Sequence, residues 1–279
     1  MITLALLNYD YFIFDGHSSN EFGLQVCAFN MNDTWETGLN VDLKRGDNNM
    51  VRTEMNLYGA VYNNTLKFEI GVIPKYNREF TPDESRSINN WLRRSNMYQK
   101  LHFNSNDPEH INFYAVCTNI EDKIYGCHAG KQITFTCNSP FGFMNPISRT
   151  FKVSDGEALA QKFFNLSDNG IYYPIMTITA SENFLGVVAY ESITDSNSGF
   201  IDFKGVEGKD GKKVVVLNGQ QNTVKDADGN LISGYKIGWN KTTNIYWFRL
   251  LPGANLVRFI GDDVTFKITC EFPRKVGTV

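Results

Sequence analysis

The sequence predicts a mainly β protein: an N-terminal β-barrel or sandwich domain with one α-helix, followed by a C-terminal jelly-roll β-sandwich. Two observations predict this fold class. The first is composition, since 42% hydrophobic residues, with 21 Phe, 13 Tyr and 4 Trp among 279 residues, can fill a large core. The second is spacing, because short β-prone runs recur between clusters of Gly, Asn and Asp.

The first domain opens with strand signals. Residues Leu6–Phe14 are rich in Tyr, Phe and Ile, Asp15-Gly16 is a turn signal, and Ser18–Val26 follows as a second strand. Polar and apolar residues then alternate over Arg52–Tyr58 and again over Leu66–Ile73. We expect these last two runs to pair as a hairpin.

One helix is predicted from Pro82 to Arg94. Thr81 is the N-cap, Pro82 takes the first helical position and Glu84 completes a capping box. Helical spacing places three apolar side chains on one face, which we expect to pack on a sheet: Ile88, Trp91 and Leu92.

Further strand-like runs end where "NSPFGFMNP" (Asn138–Pro146) breaks the pattern with two prolines and a glycine. We place the domain boundary there, with domains at 1–138 and 139–279. Beyond it, Ser154 and Glu157 stand in capping-box register ahead of the short, Phe-rich run Glu157–Asn165. A helix over that run is one interpretation, and the alternative stays open.

The second domain consists almost wholly of short β runs, which is typical of a sandwich or jelly roll. Near its end, "WFRLLPGANLVRF" (Trp247–Phe259) predicts a structural turn, because Pro252 fixes φ, Gly253 accepts a positive φ and Asn255 can bond the nearby backbone. The predicted runs are Tyr172–Thr179, Leu185–Tyr190, Gly199–Phe203, Lys213–Leu217, Lys236–Trp239, Ile245–Leu250, Asn255–Phe259 and Val264–Phe272.

Charge and cysteine usage exclude several classes of protein. The net charge of −3 offers no basic excess, so we expect no specific nucleic-acid binding. The early apolar run Ile2–Leu7 is too short to span a membrane and lacks the basic flank of a signal peptide, so we expect no membrane association and synthesis in a cytoplasm. The odd cysteine count without a CxxC motif predicts reduced thiols: Cys27, Cys117, Cys127, Cys137 and Cys270.

No catalytic, cofactor or metal signature is present in the sequence. It has no HExxH, GxGxxG, P-loop or GxSxG motif, and "DADGN" (Asp226–Asn230) lacks the later Gly and Glu of a calcium loop. We therefore expect no catalytic residues, no cofactor and no metal. One binding hypothesis stays open, in which Trp239 and Trp247 stack on a sugar.

Several stretches together resemble the distal tail protein, the baseplate hub component of long-tailed, non-contractile (siphovirus-type) bacteriophages and prophages. They are "YFIFDGHSSNEFGL" (Tyr11–Leu24), "TPDESRSINNWLRR" (Thr81–Arg94), "KLHF" (Lys100–Phe103), "NFYAVCTNI" (Asn112–Ile120), "KQITFTCNSPFGF" (Lys131–Phe143), "GIYYPIMTI" (Gly170–Ile178) and Trp247–Phe259.

The resemblance implies a non-enzymatic virion protein at the tail tip, made in the cytoplasm of a bacterial host. It implies a hexameric ring, a galectin-like second domain, and contacts with the tail tube protein, the tail-associated or tail-fibre hub protein and the receptor-binding protein. Residues Phe29–Asp47 could form an arm between subunits. The alternatives are a carbohydrate-binding module of a phage tail or bacterial surface, and a glycoside hydrolase whose carboxylates no motif nominates.

Overall fold

The computed structural model of the protein describes residues 9–27, 41–45, 57–62, 65–76, 78–94, 96–104, 109–125, 128–154, 157–240 and 245–275. Three sequence-based expectations lie wholly or mostly outside these ranges. They are the strand over Arg52–Tyr58 apart from Leu57 and Tyr58, the thiol of Cys127, and the arm over Phe29–Asp47 apart from Val41–Arg45.

The described chain divides into two compact units. Residues up to Asn145, together with Arg274 and Lys275, form the first unit, and Pro146–Pro273 form the second. The division placed after Asn138 from the sequence differs in two ways, because the chain crosses at Pro146 and returns to the first unit at Arg274. Nothing in the local sequence announces the return, since it depends on pairing between residues far apart in the chain.

The first unit is an antiparallel sheet with one α-helix. The strand order is β2-β1-β7-β8-β9-β6-β3, with β10 beside β8, while β4 and β5 form a separate pair. Its strands are β1 (Phe12–Phe14), β2 (His17–Ser18), β3 (Leu24–Cys27), β4 (Val41–Arg45), β5 (Leu57–Tyr62), β6 (Lys67–Pro74), β7 (Gln99–Phe103), β8 (Asn112–Tyr125), β9 (His128–Cys137) and β10 (Gly142–Phe143).

The hairpin expected between the runs near Leu57 and Lys67 is wrong. Strand β5 pairs with β4, and β6 pairs with β3 and β9. The burial alternation along β6 does follow the sequence pattern, since Phe68, Ile70 and Val72 are buried. Alternation identifies a strand and its buried face, but it does not identify the partner strand.

The helix α1 spans Pro82–Leu92, as the capping signals indicate. Thr81 Oγ1 accepts from the Glu84 backbone N–H at 3.2 Å, and Glu84 Oε2 accepts from the Thr81 N–H at 2.9 Å. Trp91 fixes the helix to the sheet: its ring stacks on Phe22 at 4.2 Å between centroids, and its Nε1 donates to the Phe14 carbonyl at 3.0 Å.

The second unit is a two-layer antiparallel sandwich. One sheet has the order β11-β19-β13-β16-β17 and the other β12-β18-β14-β15. Phe259 of the second sheet packs on Phe151 and Phe266 of the first, each with ring centroids 4.8 Å apart, so aromatic side chains fill the space between the layers. The strands are β11 (Ile147–Val153), β12 (Ala158–Asn165), β13 (Ile175–Ser181), β14 (Val187–Ser192), β15 (Asn197–Asp202), β16 (Lys212–Asn218), β17 (Thr223–Lys225), β18 (Gly253–Ile260) and β19 (Val264–Cys270), and β20 (Pro273–Arg274) follows at the return.

Three local predictions in this unit need correction. The run Glu157–Asn165 is not helical: strand β12 occupies it and pairs along its whole length with β18. The stretch Lys236–Trp239 is not a strand, because a 3-10 turn spans Gly234–Ile237 and ends at Gly238 with φ +85°. Residues Ile245–Leu250 form no strand either, and only Leu250 makes a bridge, to Tyr172. The fold class itself, mainly β with one α-helix in the described residues, is confirmed.

Candidate functional site

The Pro-Gly-x-Asn segment lies at the start of β18. Pro252 is exposed, Gly253 has φ +84°, and an added Cβ on Gly253 would meet no atom within 4 Å, so the preference for glycine there is conformational. Asn255 is fully buried and holds the turn together. Its Oδ1 accepts from the Leu251 N–H at 2.8 Å, and its Nδ2 donates to the Leu251 carbonyl at 2.8 Å and the Gly253 carbonyl at 3.0 Å.

The two tryptophans of the sugar-stacking hypothesis occupy different environments. Trp239 is only 5% exposed, and its Nε1 donates to the Phe200 carbonyl at 2.8 Å. Trp247 is half-buried and meets Trp239 edge to face, with centroids 5.3 Å apart. Trp239 therefore has no face available for a ligand and instead supports Trp247 from behind.

Trp247 lines an open cleft of about 500 Å³ in the second unit. The neighbouring side chains are mostly polar, and they come from four separate segments of the chain. The cleft-lining residues used below are Tyr173, Asn197, Gln220, Asn222, Trp247 and Arg249.

An ion pair forms one wall of this cleft. Arg249 Nε donates to Asp195 Oδ2 at 2.7 Å, and its Nη2 donates to Oδ1 at 3.0 Å, while the Tyr246 hydroxyl donates to Oδ2 at 3.0 Å. The Asp195 side chain is only 9% exposed. The hydrogen bonds from Arg249 lower the pKa of Asp195, and Asp195 in turn raises the pKa of Arg249, so both groups are charged at neutral pH.

The sequence alone identified only Trp247 in this cleft. One further signal was available, because Arg249 follows Trp247 by two residues between the buried Tyr246, Phe248 and Leu250, which places both on the same side of an extended segment. No signal of this kind could identify Gln220, which lines the cleft, or Asp195, which holds Arg249, since both lie in turns distant in sequence.

A second polar surface covers part of the sheet in the first unit. Lys67 Nζ lies 3.0 Å from Glu69 Oε1, and Lys123 Nζ lies 2.9 Å from Glu121 Oε2. Gln132 Nε2 donates to Glu69 Oε2 at 2.9 Å. Each carboxylate here has a cationic neighbour, so this surface presents alternating charges without an excess of either sign.

Within the described ranges, no three His, Cys, Asp or Glu side chains converge in a way that could hold a metal ion. The four cysteines in those ranges are free thiols, and burial raises the pKa of Cys27 and Cys117 to about 11 and of Cys137 and Cys270 to about 12. Low thiolate content makes these four thiols poor nucleophiles. None of the helices in the described part of the chain has the length and apolar character needed to cross a bilayer.

Comparison with known proteins gives a consistent picture. Residues 7–139 match a family model described as phage tail protein N-terminal domain. The fold resembles the crystal structure of the Dit protein (gp 19.1) of phage SPP1, described as a paradigm of the hub adsorption apparatus in phages infecting Gram-positive bacteria. The TM-score is 0.61 at 12% identity, covering 94% of this chain and 98% of that one.

It also resembles a chain of the phage P2 baseplate in its activated conformation with Ca, with a TM-score of 0.54 at 9% identity, covering 93% and 97% of the two chains. No curated protein sequence matches the chain significantly. These findings confirm the resemblance that the sequence motifs carry. Residues 7–139 therefore match the phage tail protein N-terminal domain family model, and the chain as a whole shares the fold of the SPP1 Dit protein.

Proposed function

We propose that this protein is a non-enzymatic distal tail protein that forms the baseplate hub of a phage tail. One observation carries the proposal: a chain with a phage tail N-terminal domain shares its fold over 94% of its length with a protein described as an adsorption hub. In this role it joins the tail tube protein to the tail-associated hub protein and the receptor-binding protein. It is made in the host cytoplasm and ends in the virion. The comparisons offer no support for a carbohydrate-binding module as the function of the whole chain.

The proposed assembly is a ring of six copies built by the first unit. A closed ring needs two different, complementary surfaces on each copy. Strands β3 and β2 stand at the two ends of the strand order of the main sheet, and edge strands offer backbone groups for pairing.

A ring through which DNA passes also needs channel walls without a basic patch. The net charge of −3 and the paired charges beside Glu69 and Glu121 meet that requirement.

The native mass of the full chain, measured by light scattering over a concentration series, tests the ring. We expect a species of six times the 31.7 kDa chain, or of twelve times for a double ring, with a central hole in negative-stain images. Gln25→Lys on edge strand β3 should shift the mass toward single chains, because an edge lysine opposes strand pairing. Ser198→Lys, on edge strand β15 of the second unit, is the matched control and should leave the mass unchanged. A single-chain mass at every concentration, with or without purified tail tube protein, would contradict the proposal.

A further inference from the structure

The cleft beside Trp247 has the chemistry of a binding site that the scaffold role does not use. We propose that it binds a neutral, hydroxylated ligand, a glycan of one or two sugar rings, as a contact with saccharide on the host surface. Its volume of about 500 Å³ suits a ligand of that size. The site belongs to the second unit, whereas the ring is proposed to be built by the first unit.

The wall formed by Arg249 favours a neutral ligand over an anion. Two of the guanidinium N–H groups are already committed to the Asp195 carboxylate in a bidentate geometry, and the Tyr246 hydroxyl donates to the same carboxylate. An incoming phosphate or carboxylate would have to compete with a carboxylate held in place. The Tyr173 side chain also hydrogen-bonds to Arg249. Guanidinium carries five N–H donors, so donors still remain for the hydroxyl oxygens of an uncharged ligand.

Amide side chains provide the groups that recognise hydroxyls. Asn197 Nδ2 donates to the Asp195 carbonyl at 2.8 Å, and Gln220 Nε2 donates to the Tyr173 carbonyl at 3.2 Å. These two bonds fix the orientation of both amides before a ligand arrives. Each amide has an acceptor oxygen and a second N–H, and exposed Asn222 adds a third amide at the rim. A sugar hydroxyl is both a donor and an acceptor, so it matches this combination.

Trp247 offers an apolar ring together with an N–H donor. Among the described residues its indole nitrogen has no hydrogen-bond partner, and the buried side-chain polar atom without a partner there is Thr223 Oγ1. The Trp247 Nε1 is therefore open to solvent. The Trp239 ring contacts the Trp247 ring edge to face, with 82° between the ring planes, so the Trp247 indole is positioned before a ligand arrives. A half-buried indole of this kind suits a ligand with an apolar C–H face and polar edges.

Titration of the full chain with D-glucose, D-galactose and N-acetyl-D-glucosamine tests the proposal. Indole fluorescence and the NMR signals of the four tryptophan N–H groups report binding. We expect saturable binding of at least one sugar with a dissociation constant of about 1–10 mM. Trp247→Ala should weaken it about tenfold or more, and Asn222→Ala, at an exposed position, should weaken it measurably without affecting folding. Tyr235→Ala, which removes a 67% exposed ring elsewhere in the unit, is the matched control.

Three outcomes would overturn the inference. The first is that none of the three sugars shows saturable binding up to about 100 mM, far above the expected dissociation constant. The second is sugar binding that persists in both Trp247→Ala and Asn222→Ala, and the third is that inorganic phosphate binds and the sugars do not. Because the ring is tested by mass and the cleft by titration, failure of either proposal is distinguishable from failure of the other.

Discussion

Buried asparagine side chains replace backbone pairing at two positions of the second unit. Asn255 closes the turn at the start of β18. Asn165, at the end of β12, donates to the Gly170 carbonyl at 2.6 Å and to the Leu250 carbonyl at 3.0 Å. Both side chains bond backbone groups at turns, and Asn165 adds a second donor to the Leu250 carbonyl, which also accepts from the Tyr172 N–H at 2.9 Å. Buried polar groups left without partners are costly, so these two amides should matter more to stability than their surroundings suggest.

Asn255→Ala should destabilise the second unit by about 2 kcal/mol, because the N–H and C=O of half-buried Leu251 both lose their partner and the buried amide is removed. Urea unfolding followed by circular dichroism measures the change. Asn230→Ala, at an exposed turn position, is the matched control and should cost less than about 0.5 kcal/mol. Equal losses for the two variants would show that the amide of Asn255 is not a stabilising element.

The Asp195–Arg249 pair should make the second unit sensitive to acid. Since the folded state lowers the pKa of Asp195, the stabilisation is present above the unfolded pKa of about 3.9 and is lost as the pH falls through the folded pKa. Asp195→Asn should therefore cost about 2 kcal/mol at pH 7, and the difference from the natural protein should shrink below about pH 4.

Unfolding free energies measured from pH 3 to pH 7 test this dependence. Asp228→Asn is the matched control, because Asp228 pairs with Lys209 at a solvent-exposed site where screening leaves an ion pair with little effect on stability. A constant difference between natural protein and Asp195→Asn over the whole range would contradict the prediction.

At the level of elements, the N-cap of α1 is the clearest case in which sequence and structure agree. Thr81→Ala should lower stability by about 1 kcal/mol because the Glu84 N–H loses its acceptor at the helix N-terminus. Thr81→Ser keeps the hydroxyl and should stay within about 0.5 kcal/mol of the natural protein. Thermal unfolding of the first unit, followed by the indole N–H NMR signal of Trp91 in α1, reports the effect. A loss of the same size for the serine variant would implicate the Thr81 methyl group instead.

The elements that the sequence predicted well are those whose signal is local. The capping box of α1 and the alternation along β6 depend on a few adjacent residues. The run Ala158–Asn165 shows the opposite case, because its cap signal at Ser154 is real but its eight residues pair with Gly253–Ile260, almost a hundred positions away. Tertiary pairing outweighs local propensity there.

The cleft illustrates the same limit for a functional site. Trp247 could be nominated because an aromatic cluster is visible in the sequence. Asp195 and Gln220 could not, since they lie in turns of two different sheets, where Gln220 lines the cleft and Asp195 holds the cleft-lining Arg249. Likewise, the sequence could not tell buried Trp239 from half-buried Trp247. The Trp239 indole donates to the carbonyl of Phe200, a residue distant in sequence, and no local spacing announces that contact.

At the level of the whole molecule, the second unit is an insertion within the first. Its two ends are adjacent, since Ile147 and Cys270 are register partners in β11 and β19. A unit with its own core and neighbouring ends should fold alone.

We expect the fragment Pro146–Pro273 to unfold cooperatively on heating. The fragment 139–279 follows the division taken from the sequence, and its melting temperature should agree with that of Pro146–Pro273 within about 2 °C. A stability change of about 1 kcal/mol would shift the melting temperature by more than that. If 139–279 folded and Pro146–Pro273 did not, the sequence-based boundary would be favoured instead.

Because the second unit leaves and re-enters the first, it is attached by two segments of the chain and not by one. Mechanical load on the second unit is therefore shared between two covalent connections. A single proteolytic cut in one of its surface loops leaves the other connection intact. The same topology makes the unit replaceable, since a different domain with adjacent ends could take the place of residues 147–270 and leave every strand of the first unit's sheet, β20 included, in the chain.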